Sequence, residues 1–142
     1  MTTVFTNGCF DLLHVGHIRL LEFAARQGDR LIVGINSDAS VRLNKGPLRP
    51  IIPERERVAC VAALRCVDQV IVFDDQSVEP LIRQVRPDVL VKGPECQVLP
   101  VVGREFVESY GGRVVVPDWT VDISTSTIIE RVRRDHRDRG SH

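Results

Sequence analysis

Two histidines, His14 and His17, follow the first predicted strand at a spacing that suits phosphate binding. They begin a predicted helix and project from the same side of its first turn, because residues three apart on a helix are neighbours. A helix N-terminus offers free backbone N–H groups and the positive end of the helix dipole, which together bind phosphate. Gly16 leaves room for phosphate oxygens between the histidines, and Gly8 lets the backbone turn tightly toward a ligand. This segment therefore predicts a phosphate site.

Two histidines could instead bind zinc, but the sequence offers no third side chain nearby to complete such a site. The remaining histidines, His136 and His142, lie in the C-terminal tail. Cys9 is close in sequence but is expected to face the core or to contribute its backbone N–H. The four cysteines form no Cys-x-x-Cys pair, which is typical of a protein from a reducing cytosol. We therefore expect no metal site built from side chains.

Composition indicates a single soluble domain. The chain has 142 residues, of which 43% are hydrophobic and 27% are charged, an ordinary globular balance. Nineteen basic residues match nineteen acidic ones, so the overall charge favours neither nucleic acid nor a membrane surface as a partner. No apolar run approaches the roughly 20 residues that cross a bilayer, and the N-terminus lacks the features of a signal peptide. We expect a cytoplasmic location.

Short β-branched runs alternate with stretches of helical periodicity along the chain. Because each connection has room for a helix, the pattern predicts a single-domain, doubly wound (Rossmann-like) α/β fold, a five-stranded parallel sheet with helices on both faces. Ligands bind such sheets beyond the carboxyl ends of the strands. The domain is expected to span residues 1–135, followed by a disordered tail at 136–142. The predicted strands are residues 4–6, 31–35, 70–73, 89–91 and 114–116; the predicted helices are 18–25, 58–64, 78–85, a short one around 106–107, and 124–134; residues 44–53 form an irregular loop.

The His-x-Gly-His motif and the preceding Gly-Cys-Phe-Asp resemble those of the nucleotidyltransferase superfamily that includes the cytidylyltransferases and the heptose 1-phosphate adenylyltransferases. The resemblance covers residues 6–134. Residues 123–135, with Ile-Ser-Thr-Ser, are similar to the choline-phosphate and glycerol-3-phosphate cytidylyltransferases. Five other segments resemble most closely the bacterial D-glycero-β-D-manno-heptose 1-phosphate adenylyltransferases: residues 6–21, 36–38, 62–68, 86–93 and 110–115.

This resemblance implies a role for each matching residue. His14 and His17 would hold the triphosphate and stabilise the charge that builds as pyrophosphate leaves. Lys45 would reach the α-phosphate or the acceptor phosphate from its loop. The residues implied in nucleotide and phosphate binding are Gly8, Cys9, Phe10, Asp11, Gly16, Arg57, Ser124, Thr125 and Ser126. Those implied in acceptor binding are Asp38, Arg65, Lys92 and Glu95.

Simpler structural roles remain open for several of these residues. Asp11 is equally well explained as a cap at the helix entry, and Lys45 as a solvated loop lysine. Arg57 and Arg65 could each be a surface arginine on a helix. An N-cap accounts for one of the three hydroxyls that open the last helix, but not for all of them. Trp119 is expected to close the edge of the core rather than to stack on a base.

Two segments depart from the patterns of the two subfamilies. The heptose enzymes usually have Lys-Gly-Gly-Asp-Tyr after the fourth strand, where this chain has Lys-Gly-Pro-Glu-Cys at residues 92–96. The cytidylyltransferases have an arginine shortly before Ile-Ser-Thr, where this chain has Asp-Trp-Thr-Val-Asp at residues 118–122. The choice of base and of acceptor therefore stays open.

The resemblance as a whole implies an enzyme that transfers a nucleoside monophosphate from a nucleoside triphosphate, with ATP favoured, to the phosphate of a small acceptor such as a heptose 1-phosphate. Pyrophosphate would be released, and Mg²⁺ would be bound mainly through the nucleotide phosphates. The alternative is a CTP-dependent enzyme acting on a polyol phosphate, an amino-alcohol phosphate or a phosphonate. A nucleotide-binding regulator without turnover is a remote third possibility. A homodimer is expected from the resemblance only.

Overall fold

The computed structural model describes residues 1–97, 100–119 and 124–140. Within them, five strands form one parallel sheet in the order β3-β2-β1-β4-β5. The strands are β1 (Thr3–Gly8), β2 (Arg30–Asn36), β3 (Gln69–Phe73), β4 (Val89–Val91) and β5 (Arg113–Val115). The helices are α1 (Val15–Ala25), α2 (Asp38–Lys45), α3 (Glu54–Ala62), α4 (Glu79–Val85), α5 (Arg104–Ser109) and α6 (Thr125–Gly140), with a 3₁₀ turn at Pro94–Gln97.

Helices cover both faces of the sheet, because successive side chains of a strand point to opposite faces. On one face Val4 of β1 packs in a cluster with Leu21 of α1. On the other face Phe5 of β1 packs with Ile82 of α4 and Val107 of α5. Both layers are closed to water at these positions. The predicted doubly wound parallel fold is confirmed.

The strand order reverses beside β1, and this reversal creates a crevice. β1 pairs with β2 over six residues but with β4 over only two. In open parallel sheets a ligand site forms beyond the carboxyl ends of the two strands where the order reverses, here β1 and β4. At that point Lys92 Nζ, just after β4, donates a hydrogen bond of 2.6 Å to Asn7 Oδ1 of β1. The loops after β1 and β4 therefore face each other across the crevice.

Two local predictions differ from the structure. Helix α2 was not predicted, and the expected loop at 44–53 is shortened because Asn44 and Lys45 form the end of that helix. Helix α6 continues past its predicted end to Gly140, so the part of the expected disordered tail at 136–140 is helical. Residues 135–139 contain neither glycine nor proline, and Arg137 pairs with Glu130 at 3.0 Å; both features favour a continued helix.

The described residues contain no helix that is both long enough and apolar enough to cross a membrane. Within the described residues, Cys9, Cys60, Cys66 and Cys96 form no disulfide bond.

Candidate active site

A cavity of about 1010 Å³ lies at the crevice between β1 and β4. A cavity of this size is large enough for a drug-sized ligand. Its walls come from the loops after β1 and β4, the N-terminal ends of α1 and α6, and the end of α2. The residues predicted from sequence that line it are Gly8, Cys9, Phe10, Asp11, His14, Gly16, His17, Lys45, Lys92, Ser124, Thr125 and Ser126.

His14 and His17 are held together by the first turn of α1. His14 is the N-cap residue, and its Nδ1 accepts the N–H of Gly16 at 3.1 Å. His17 Nδ1 in turn accepts the N–H of His14 at 3.2 Å. The two rings stack with their centroids 3.8 Å apart. Because Nδ1 of each ring is an acceptor, we assign the hydrogen of each neutral ring to Nε2.

Both histidines are neutral at pH 7. The pKa of His17 is lowered from 6.5 to about 4, mainly by burial; the nearby His14 and Lys45 add to the decrease, and Asp11 opposes it. Burial also lowers the pKa of His14. The pair therefore supplies two neutral N–H donors rather than two positive charges, and it suits hydrogen bonding to phosphate oxygens.

Positive charge in the cavity comes from three other side chains. Lys45 is exposed at the end of α2, Arg49 follows in the loop at 46–53, and Lys92 is buried after β4. Within the described part of the wall, Asp11 is the only carboxylate. A concave surface with this balance favours an anionic ligand. Sequence reasoning did not select Arg49, whose one available signal was its place in the loop after Lys45.

Asp11 joins three segments of the site. Its carboxylate accepts the backbone N–H groups of Ile51 at 2.7 Å and Ile52 at 2.9 Å. Its carbonyl oxygen accepts a hydrogen bond of 2.6 Å from Thr125 Oγ1. The residue is 2% exposed. Asp11 therefore holds the loop at 46–53 and the start of α6 against the loop after β1, and the alternative of a helix cap is wrong because His14 caps α1.

Arg57 is buried and lies outside the cavity wall. Its Nε donates to the carbonyl oxygen of Ile52 at 2.8 Å, and its Nη1 donates to those of Cys9 at 2.7 Å and Asn36 at 2.8 Å. Its Nη2 donates to Asp38 Oδ1 at 2.8 Å. A buried guanidinium is stable when its N–H groups are satisfied in this way. Arg57 thus holds backbone segments together, and neither the predicted phosphate contact nor the surface alternative is correct.

Two of the residues implied in acceptor binding also lie away from the cavity. Asp38 accepts the N–H of Glu54 at 2.9 Å in addition to pairing with Arg57, so its carboxylate is used within the fold. Arg65 is exposed in the turn after α3. Neither side chain lines the cavity, which corrects their predicted placement. Glu95 belongs to the 3₁₀ turn that borders the cavity through Pro94.

The three hydroxyls at the start of α6 occupy different positions. Ser124 Oγ accepts the N–H of Thr127 at 3.2 Å and so caps the helix. Thr125 is buried and bonds to the carbonyl oxygen of Asp11. Ser126 is exposed on the cavity wall. Of the three hydroxyls, that of Ser126 is therefore the one best placed to meet a ligand directly.

Trp119 lies at the edge of the core and on the cavity wall at once. Its ring meets Phe23 of α1 edge-on, with centroids 5.0 Å apart, and the Arg19 guanidinium lies 4.3 Å from its centroid. Trp119 therefore packs at the edge of the core, as expected, and in addition lines the cavity.

A doubly wound parallel sheet with a paired-histidine anion site at its reversal point defines a nucleotidyltransferase of the α/β class. The chain belongs to the cytidylyltransferase-like family, whose model matches residues 5–131.

Curated relatives and solved structures agree with this assignment. The chain is 55% identical over 130 residues to the bifunctional protein HldE of Alcanivorax borkumensis, and 56% identical over 131 residues to that of Syntrophotalea carbinolica. Each alignment covers 92% of this chain and 27% of the relative, so the chain spans about a quarter of their length. A lipopolysaccharide core biosynthesis protein from Thermoplasma volcanium superposes with a TM-score of 0.69 at 29% identity, covering 82% of this chain and 93% of that one.

Proposed function

We propose that this nucleotidyltransferase moves AMP from ATP to the phosphate of a heptose 1-phosphate, forming an ADP-sugar and pyrophosphate. Two findings support the choice of substrates. Five of its segments resemble the heptose 1-phosphate adenylyltransferases. In addition, the bifunctional HldE proteins are 55% and 56% identical to it over nearly its whole length.

The observation that carries the proposal is the pair of neutral imidazoles at the reversal point of the sheet. In the proposed reaction an acceptor phosphate oxygen attacks the α-phosphorus in line. The bond from that phosphorus to the bridging oxygen breaks, and its electron pair leaves with pyrophosphate. His14 and His17 donate Nε2–H bonds to the phosphate oxygens, and Lys45 offsets the charge that develops. The acceptor phosphate is already ionised, so the step needs no general base.

We further propose that Mg²⁺ enters with the triphosphate. The described residues contain no group of three or more His, Cys, Asp or Glu side chains arranged to hold a metal ion. Asp11, the carboxylate on the described wall, is already bonded to two backbone N–H groups. This donor set fits a cation bound mainly through phosphate oxygens. When bound, Mg²⁺ neutralises triphosphate charge.

A CTP-dependent reaction is the second candidate, and the first turn of α6 favours it. Residues 124–126, Ser-Thr-Ser, line the cavity and are similar to the corresponding segment of the cytidylyltransferases. The acceptor would then be a polyol phosphate, an amino-alcohol phosphate or a phosphonate. On the resemblance alone, we also propose a homodimer. The balanced charge and the cysteine pattern support a cytoplasmic location without nucleic-acid or membrane partners.

Pyrophosphate release tests the two candidates side by side. ATP, CTP, GTP and UTP are each combined, with Mg²⁺, with heptose 1-phosphate, glycerol 3-phosphate, phosphocholine and a simple phosphonate. We expect the highest kcat/KM for ATP with heptose 1-phosphate. A higher value for CTP with any acceptor would replace the proposal with the second candidate. Nucleotide binding without turnover in every combination would contradict both.

A further inference from the structure

Arg49 and Arg57 both lie beside the site, but their guanidinium groups differ in the hydrogen bonds that they make. The guanidinium of Arg57 makes four hydrogen bonds to protein oxygens. The side chain of Arg49 is only 16% exposed, yet its Nε makes no hydrogen bond to any residue that the structure describes. Arg49 is among the residues that line the cavity, whereas Arg57 is not. Arg57 is therefore used within the fold, and Arg49 borders the cavity.

The carboxylate nearest to Arg49 is already occupied. Nε of Arg49 lies 3.5 Å from Asp11 Oδ2, which is close enough for charge attraction. That same oxygen accepts the N–H of Ile51 at 2.7 Å, and the other carboxylate oxygen accepts the N–H of Ile52 at 2.9 Å. The pair thus lacks the two parallel bonds that arginine forms with a free carboxylate. A guanidinium withdrawn from water in this way is stabilised when oxygens of a ligand complete its hydrogen bonds.

We propose that Arg49 is a substrate-binding residue that grips a phosphate group inside the cavity. The proposal rests on the proposed function, because it takes both substrates to be phosphates. The planar guanidinium presents its N–H groups as a fork that matches phosphate oxygens. Lys45 lines the same cavity, so a phosphate there meets positive charge from both residues. The phosphate belongs either to the triphosphate or to the acceptor. In the first case the affinity for the triphosphate depends on Arg49, and in the second case the affinity for the acceptor does.

Calorimetric titration of the full chain separates the two sources without turnover. One arm titrates inorganic tripolyphosphate with Mg²⁺, and the other titrates heptose 1-phosphate. Arg49→Ala is compared with Arg49→Lys, which keeps the charge but loses the fork. Arg42→Ala is the matched control, because Arg42 is exposed on α2 and does not line the cavity. Thermal unfolding without ligand is measured for every variant.

We expect Arg49→Ala to weaken the binding of at least one of the two ligands about tenfold or more, which corresponds to the loss of roughly one charge-assisted hydrogen bond. Arg49→Lys should keep part of that affinity, and Arg42→Ala should bind both ligands as wild type does. Loss in the tripolyphosphate arm assigns Arg49 to the nucleotide, and loss in the heptose 1-phosphate arm assigns it to the acceptor. Unchanged affinities in both arms, with only a lower unfolding temperature, would overturn the proposal and make Arg49 a structural partner of Asp11. Failure of the proposed function shows itself separately, as wild-type protein that does not turn over ATP with heptose 1-phosphate.

Discussion

The free energy of unfolding should depend on pH through His17, and a substitution of this one residue can measure its contribution. Its pKa falls from 6.5 to about 4 on folding, so the unfolded chain binds a proton more readily between these values. The corresponding stability is complete above pH 6.5 and is lost as the pH falls toward 4. Between pH 7.5 and pH 5 this linkage amounts to about 2 kcal/mol.

His17→Gln removes the titrating group and keeps the local geometry. His17 is the third residue of α1 and bonds back to the N-cap backbone, a position where glutamine makes the same contact in ordinary capping boxes. The free energy of unfolding is measured by urea titration at pH 7.5 and at pH 5. We expect wild type to lose about 2 kcal/mol more than the variant over this interval. The control is His136→Gln, which alters an exposed histidine of α6 and should behave as wild type.

An equal loss in wild type and His17→Gln would refute this reasoning. It would mean that His17 is protonated about as easily in the folded protein as in the unfolded chain. A ring with a pKa near 6.5 would be partly protonated at pH 7, so His17 could no longer be assigned as a purely neutral Nε2–H donor.

Four further outcomes test the roles of the site residues. His17→Ala should lower kcat by roughly 10²–10³, the usual loss for one donor positioned for the transition state; near-wild-type turnover measured by pyrophosphate release would remove His17 from the mechanism. Lys45→Ala should lower kcat while leaving the unfolding temperature unchanged, because Lys45 is exposed, and an unaltered rate would make it a solvated bystander. Asp11→Asn should cost about 1–3 kcal/mol in urea unfolding, since the single amide oxygen can accept only one of the Ile51 and Ile52 N–H groups and the NH2 group then faces the other; wild-type stability would show that these bonds do not hold the loop. With a single diastereomer of adenosine 5′-(α-thio)triphosphate, the reaction should invert the configuration at the α-phosphorus, and retention would require a covalent intermediate.

The sheet and the centre of the site were predictable because their signals are local in sequence. Each strand contains a short run of apolar, mostly β-branched residues, and β2 and β4 are almost fully buried, so these runs differ from the periodic segments around them. His14, Gly16 and His17 all belong to the first turn of α1, and the strand before them places that turn at the carboxyl edge of the sheet. Local sequence signals were therefore enough to predict the fold and the position of the candidate site.

Helix α2 and the positions of Arg57 and Arg49 depend on contacts that no single segment contains. Helix α2 has eight residues, of which only Ser40 and Val41 are buried, so it has few apolar positions from which to predict a helix; the one local signal was Ser37, whose side chain caps the helix. Arg57 is buried where oxygens from distant parts of the chain converge on it, and Arg49 is mostly withdrawn from water beside Asp11. Such convergence exists only after the chain has folded.

The burial of Arg57 has a consequence for genetic studies of this protein. Four hydrogen bonds join it to Cys9, Asn36, Ile52 and Asp38, more than the three N–H groups of a lysine can replace. A random mutagenesis screen scored by activity alone would therefore rank Arg57 beside the histidines as an essential residue. Normalising each activity to the amount of folded protein would separate the two groups: the histidine variants would accumulate as folded but inactive protein, and the Arg57 variants would be depleted from the soluble fraction.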